Sequence, residues 1–325
     1  MTAIEIAYQK ASSGRPGEGR AVLEAAARSG DATAFAELGY WFLRGDIIAR
    51  DVAAARACFG DASAMGDVDA TMMAAALGAN GSGGAADWPG AMALLRRAAR
   101  TSDAAAAQLA LLERMALDAE GAPTVLPTPR QISVRPAVWH VEGLFAPDEC
   151  RHVAMTAAGL LEPATVIDPA TGRNIVNPVR TSDTALIGPT QENLVVRALN
   201  RRVAALTRTD IAQGEALTVL RYSPGQRFRP HVDALPHTTN QRVKTVLIYL
   251  NQGFAGGATT FPHAGLRIAP RAGDAVIFDN VDPHGAIDDA ALHEGEAVVQ
   301  GVKWLATRWI RARSFDVWQG PEASV

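Results

Sequence analysis

Cysteine is nearly absent from this chain: Cys58 and Cys150 are the only two in 325 residues. They fall in halves of different composition, so a disulfide framework is not expected and a reducing cytoplasm is the default compartment. Charge of one sign is not in excess either. Lys and Arg total 31 against 34 Asp and Glu, a formal net charge of −3, which gives no electrostatic ground for nucleic acid as the main partner. No run approaches the roughly 18 consecutive apolar residues that a membrane span needs. Residues 1–10 show no basic region followed by an apolar run, so a secretory leader is not expected. Apolar side chains, by contrast, are plentiful. With 48% hydrophobic and 20% charged residues the chain can bury sizeable cores, which excludes global disorder, and its length suits two domains.

Composition divides the chain. Residues 1–118 are crowded with alanine and helix formers. Residues 119–136 hold Pro123, Pro127, Pro129 and Pro136, which rules out a regular helix there and predicts an extended linker. The first part repeats itself with a period of 36 residues: Gly30-Asp31, Gly66-Asp67 and Ser102-Asp103 are in register, as are Ala34, Ala70 and Ala106, and Ala21, Ala57 and Ala93. Asp51 and Asp87 each precede an alanine-rich segment at the same offset, with Ala55 matching Ala91. Such a period, with small residues at fixed places, predicts paired helices stacked into a solenoid. Leu38-Gly-Tyr-Trp-Phe-Leu-Arg-Gly45, followed by Asp51 and by alanines 53–55, resembles the Sel1-like repeat, a relative of the tetratricopeptide repeat, over about residues 18–115. That resemblance implies either a concave surface for a protein or peptide, or a packing module.

From residue 137 to about 319 the pattern changes to β-branched runs between glycine and proline turns. Residues 138–145 predict a strand, and Pro147 opens a helix to about Leu160 with Asp148 and Glu149 in its first turn. Val195, Leu199, Val203 and Leu206 make one apolar helical face. Residues 216–221, 243–250, 275–278 and 298–305 read as strands of a sandwich or barrel with helices packed outside.

One segment carries chemistry. In Tyr222-Ser-Pro-Gly-Gln-Arg-Phe-Arg-Pro-His231-Val-Asp233 the histidine and the aspartate are two apart, so an extended strand would turn both side chains to one face. Imidazole and carboxylate could there hold adjacent positions on a divalent metal. A second histidine from a distant strand, with His263, His284 and His293 as candidates, would complete the two-histidine, one-carboxylate triad of non-haem iron(II) oxygenases. Ten residues after His293 comes Lys303, in a strand. A lysine pointing inward needs an anionic partner, which the distal carboxylate of 2-oxoglutarate would supply.

Tyr222-x-x-Gly-Gln, His231-x-Asp233, Gly256-Gly-x-Thr-x-Phe-Pro262 and His293 followed at ten by Lys303-Trp304 together resemble the prolyl 4-hydroxylase catalytic domain. Residues 144–150, Val179-Arg-Thr-Ser182 and Tyr249-Leu-Asn251 fit the same family in the same order, and the resemblance covers roughly residues 138–313. It implies a multidomain α + β chain in which the α-helical solenoid (1–118) and linker (119–136) precede a double-stranded β-helix, or jelly-roll, domain with flanking helices (137–319). His231, Asp233 and His293 would be the iron ligands. Lys303 would pair with 2-oxoglutarate, and Tyr222 and Thr259 would hydrogen-bond it. Arg242, Trp309 and Arg311 correspond to positions at the substrate mouth, where a purely structural role is the competing reading. Ala258 departs from the glutamate many members carry, which touches substrate detail rather than the chemistry.

The resemblance implies an iron(II)- and 2-oxoglutarate-dependent dioxygenase that hydroxylates a prolyl residue of a protein or peptide and releases succinate and CO2. Ascorbate would be the reductant that rescues idle iron, and the repeats would recruit the substrate. Two readings stand beside it: the same oxygenase chemistry on another residue or a small molecule, and a non-catalytic adaptor built on the repeats. Neither nucleic acid nor membrane is expected as a partner.

Overall fold

The computed structural model describes residues 1–167, 174–176, 179–269 and 271–323. Packing divides the chain into two units, Met1–Ala122 with Pro189–Ala198, and Pro123–Gly188 with Leu199–Val325. No helix among the described residues is long and apolar enough to cross a membrane.

The first unit contains α1 (Ala3–Ser12), α2 (Pro16–Arg28), α3 (Ala32–Arg44), α4 (Val52–Ala64), α5 (Val68–Asn80), α6 (Trp88–Ala98) and α7 (Asp103–Leu112), each packed on the next. The periodic aspartates start these helices. The Asp31 carboxylate accepts from the amides of Thr33 and Ala34, and those of Asp51, Asp67 and Asp87 accept from Ala54, Ala70 and Gly90. Such caps satisfy amides that the helix itself leaves unpaired. In the third copy the cap is Ser102, bonded by the Ala105 amide, and not Asp103. The buried alanine three residues after each cap is accordingly Ala34, Ala70 and then Ala105. The register therefore slips by one residue from the Asp103 and Ala106 alignment expected. A serine cap with an aspartate in the first turn satisfies both the amides and the helix dipole. Ala21, Ala57 and Ala93 face solvent. Close helix approach comes instead from Gly39, where a Cβ would lie 2.8 Å from the Phe59 ring.

The second unit has strands β1 (Arg130–Ser133), β2 (Val138–Val141), β3 (Glu162–Pro163), β4 (Thr165–Ile167), β5 (Asn174–Val176), β6 (Asp183–Ile187), β7 (Leu217–Tyr222), β8 (Phe228–His231), β9 (Arg242–Tyr249), β10 (Ala255–Gly256), β11 (Thr259–Phe261), β12 (Leu266–Ile268), β13 (Ala275–Asp279), β14 (His293–Gly295), β15 (Val298–Gln300) and β16 (Lys303–Arg311). Helix α8 spans Pro147–Ala158 and α9 spans Leu194–Thr207. An eight-stranded sheet runs β1-β2-β13-β9-β16-β7-β6-β3, a four-stranded one runs β12-β11-β14-β8, and β4-β5 and β10-β15 form ribbons. The pairings are antiparallel.

The core follows from alternation along the strands. Leu220 and Tyr222 of β7, Leu247 and Tyr249 of β9, Val276 and Phe278 of β13 and Leu305 of β16 project into one cluster that also takes in Phe261 of the smaller sheet. Their neighbours Val219, Val246, Ile248 and Ala306 are fully buried too, as expected for a sheet covered on both faces, and α8 packs on β6. This is a two-sheet sandwich with flanking helices. Two details differ from the sequence expectation. Part of the proline-rich stretch is the edge strand β1, and the single strand expected over 298–305 is two strands, broken at Gly301 (φ 78°).

Candidate active site

Strands β8 and β14 pair so that His231 stands opposite His293. Asp233 lies just past the end of β8, and one ligand atom from each of the three residues falls within 4.8 Å of the others. His231 Nε2 is 3.6 Å from Asp233 Oδ1, and His293 Nε2 is 3.7 Å from Asp233 Oδ2. Backbone carbonyls fix both ring orientations: Nδ1 of His231 lies 2.8 Å from the Arg229 oxygen and Nδ1 of His293 lies 3.0 Å from the Ala291 oxygen. With each Nδ1–H donating outward, each Nε2 lone pair is turned to the shared point, the usual preparation of histidine for a metal. His231 Nε2 is buried with no hydrogen-bond partner among the described residues. An orphaned buried nitrogen is costly, and a divalent cation between the three residues would satisfy it, so the donor set fits iron(II).

Electrostatics agree with that use. Burial, and then the charge of His293, push His231 down to about 4, so the ring is neutral and its lone pair available near neutral pH. Burial would raise Asp233, but His293, His231 and the Thr245 hydroxyl outweigh it and hold the carboxylate below its ordinary range. Thr245 Oγ1 donates to Asp233 Oδ2 at 2.7 Å, and Asn280 Nδ2 donates to Thr245 Oγ1 at 2.9 Å. The carboxylate is thus oriented by a two-link chain that the sequence reading had missed. Another omission is Phe228, whose ring stacks on His231 at 3.5 Å between centroids. A register shift between His293 and Gly295 places Phe228 opposite Gly295, so alternation alone could not predict that contact.

The three residues open into a cleft lined also by Leu220, Tyr222, Leu247, Thr259, Lys303, Leu305, Thr307 and Trp309. Lys303, Leu305, Thr307 and Trp309 are alternate residues of β16, which explains their common face. Lys303 is 2% exposed. Its ammonium donates to the Gly257 carbonyl at 2.8 Å and lies 5.5 Å and 5.6 Å from the Tyr222 and Tyr249 rings. Burial pushes it down to about 8 against the opposing pull of Glu296. Gly257 adopts φ 64°, and a Cβ there would sit 3.2 Å from the lysine side chain, so glycine is what lets the backbone reach Lys303. The Tyr249 hydroxyl donates to Thr259 Oγ1 at 2.9 Å, which leaves the threonine proton free to donate. Burial pushes Tyr222 up to about 12, keeping it a neutral phenol.

The residues expected at the substrate mouth divide. Trp309 lines the cleft, and its indole nitrogen is buried without a partner among the described residues. Arg242 does not line it. Its guanidinium lies 3.9 Å over the Trp309 ring and grips Glu215 through Nε and Nη2, at 2.6 and 2.8 Å. Arg311, 3% exposed, donates to the same carboxylate from Nε at 2.5 Å and to the Asn240 carbonyl at 2.7 Å. The structure therefore puts both arginines on the Glu215 carboxylate, which no motif had singled out, with Arg242 stacked on Trp309. His284 and His263, the other histidines weighed as ligands, are exposed and away from the triad.

The model of the 2OG-Fe(II) oxygenase superfamily matches residues 217–311. Over 209 residues the chain is 34% identical to a probable prolyl 4-hydroxylase 7 of Arabidopsis thaliana, a match covering 57% of this chain and 66% of that one. It is 32% identical over 205 residues to prolyl 4-hydroxylase 1 of the same plant, covering 57% and 72%. Among solved structures, the viral collagen prolyl hydroxylase vCPH of Paramecium Bursaria Chlorella virus-1 is 25% identical with a TM-score of 0.43, covering 54% of this chain and 96% of that one. A Sel1 repeat protein of Oxalobacter formigenes is 24% identical with a TM-score of 0.31, covering 34% and 47%.

Proposed function

Since the chain belongs to the prolyl 4-hydroxylase family of 2-oxoglutarate- and iron(II)-dependent dioxygenases, we propose that it hydroxylates a prolyl residue of a protein or peptide and releases succinate and CO2. The observation that carries this reading is the meeting, in one cleft, of the His231–Asp233–His293 cluster with the buried cation of Lys303. Iron(II), when bound, supplies the redox chemistry that couples loss of CO2 from 2-oxoglutarate to insertion of oxygen into a C–H bond. His231 Nε2, His293 Nε2 and Asp233 would hold the metal, and the cleft beside them would admit the co-substrate. Lys303 would neutralise the distal carboxylate of 2-oxoglutarate, with Tyr222 and Thr259 donating to it.

On the substrate side, Leu220, Leu247, Leu305 and Phe228 give an apolar wall suited to a pyrrolidine ring and exclude water from it. Trp309 Nε1 would donate to a carbonyl of the bound peptide, satisfying an otherwise orphaned group. Arg242, clamped by Glu215, would hold the indole flat, while Arg311 secures the clamp from behind. Ascorbate would return idle oxidised iron to iron(II). The helical repeats would bring a protein substrate to a tethered active site and raise its effective concentration.

The test is mass spectrometry of a cell lysate and of synthetic proline-containing peptides incubated with the chain, iron(II) and 2-oxoglutarate. A gain of one oxygen on proline, matched by succinate, is expected. A gain only on another residue type or on small molecules would replace the prolyl reading with the broader oxygenase one.

A further inference from the structure

The active site leaves one feature of the chain unused, the proline-rich stretch that opens the second unit. Residues 125–129, Val-Leu-Pro-Thr-Pro, belong to no helix, strand or turn. Val125 is 69% exposed and Leu126 38%, so one large apolar side chain stands mostly in solvent and the next is only partly covered. Pro129 is exposed and Pro127 partly so. Several other prolines of the chain are fixed in elements: Pro16, Pro89 and Pro147 lie in the first turns of helices, and Pro163 and Pro230 in strands. An enzyme acting on a ring C–H bond needs a proline whose backbone can be laid into a cleft without unfolding its surroundings. An extended, proline-rich run meets that need, because its backbone groups have no internal hydrogen bonds to break.

We propose that this stretch is itself a substrate, hydroxylated at Pro127 or Pro129 by the active site of a second copy of the chain. The inference rests on the prolyl hydroxylase reading above. The chemistry of the two partners matches. The cleft offers Leu220, Leu247, Leu305, Phe228 and Trp309, and the stretch offers a pyrrolidine ring preceded by leucine and valine. The reaction must run between copies. Pro127 lies three residues before β1 and Pro129 adjoins it, so three extended residues give a reach of about 10 Å. In strand order β1 is three steps from β9, the strand that presents Leu247 to the cleft, a separation of about 14 Å at ordinary strand spacing. A chain cannot reach its own cleft while β1 stays paired to β2.

The balance is that of the proposed reaction. A ring C–H bond of proline breaks and a C–OH bond forms. One atom of dioxygen enters that hydroxyl and the other enters succinate, as 2-oxoglutarate is oxidised and loses CO2.

The full-length chain is incubated with iron(II), 2-oxoglutarate and isotopically labelled dioxygen, then digested and mapped by mass spectrometry. Synthetic peptides of residues 122–131 and of polyproline are run in parallel. The expected result is one labelled oxygen on Pro127 or Pro129 of the intact chain, at a rate per chain that rises in proportion to chain concentration. It should disappear from the stretch in Pro127→Ala/Pro129→Ala, a variant that leaves polyproline turnover unchanged. Hydroxylation of polyproline without any on the stretch overturns this inference and leaves the prolyl reading standing. A labelled stretch whose rate per chain ignores concentration overturns the transfer between copies. No oxygen on any proline overturns both.

Discussion

The imidazole rings of His231 and His293 face each other across paired strands, with centroids 4.2 Å apart and both Nδ1 atoms tied to backbone carbonyls. Two rings held in this way turn their Nε2 atoms toward Asp233, at 3.6 and 3.7 Å. His231→Ala, Asp233→Ala and His293→Ala should each abolish iron(II) binding and succinate formation while circular dichroism stays native. His284→Ala, altering an exposed residue in a turn, should change neither. Calorimetric titration of iron(II) under anaerobic conditions makes the comparison, and a loss with His284→Ala but not with His293→Ala would reassign the triad.

Asp233 owes its orientation to Thr245, which in turn is held by Asn280. Thr245→Val keeps the shape of the side chain and deletes the hydroxyl. Iron(II) affinity should fall by about 10- to 100-fold, the range found for groups that orient metal ligands from behind. Stability should also drop by about 1–3 kcal/mol, because the buried Asn280 amide loses its acceptor. Metal titration and urea unfolding read the two effects separately. Unchanged iron affinity would remove Thr245 from the site.

What could be read from the sequence depended on how local its cause was. Asp31, Asp51 and Asp67 announce helix starts because capping acts over three residues, and His231-x-Asp233 is legible because strand alternation acts over two. The ladder Lys303, Leu305, Thr307 and Trp309 follows from the same alternation once β16 is placed. Glu215, Thr245 and Asn280 were invisible, since each matters through a partner 12 to 96 residues away. Arg242 and Arg311 match positions at the substrate mouth, with a structural role as the competing reading, and nothing near them in sequence reveals the carboxylate between them. The slip from Asp103 to Ser102 was missed because alignment by period outweighed the better cap.

Gly39 tests the packing of the repeats. A methyl group there would lie 2.8 Å from the Phe59 ring, which is itself fully buried. Gly39→Ala should therefore destabilise the helical unit by about 1–3 kcal/mol through overpacking, despite the better helix propensity of alanine. Thermal unfolding followed at 222 nm reports it. A raised midpoint would mean that Phe59 moves aside freely and that the close approach of α3 and α4 is not needed.

Lys303 supplies a prediction in which the sign can be worked out. Burial holds the amine at about 8, below its ordinary 10.5. Below about 8 the ammonium is charged and can pair with the distal carboxylate of 2-oxoglutarate. As pH rises through 8 the free protein loses that proton, and binding must restore it first. Affinity for 2-oxoglutarate should then be flat up to about pH 8 and fall above it, approaching about tenfold per pH unit. Lys303→Arg keeps the charge at every accessible pH, so whatever its affinity, the fall above pH 8 should vanish. Lys303→Ala removes one partner of a desolvated charge pair, a loss of about 2–5 kcal/mol, which raises the dissociation constant by about one to three orders of magnitude. The measurement is anaerobic binding of 2-oxoglutarate to the manganese(II)-loaded protein from about pH 7 to about 9.5, a window above the unperturbed carboxylate and imidazole values that spans the lysine. A flat profile for the parent chain together with unchanged affinity in Lys303→Ala would put the co-substrate elsewhere and would sink the assignment of this lysine.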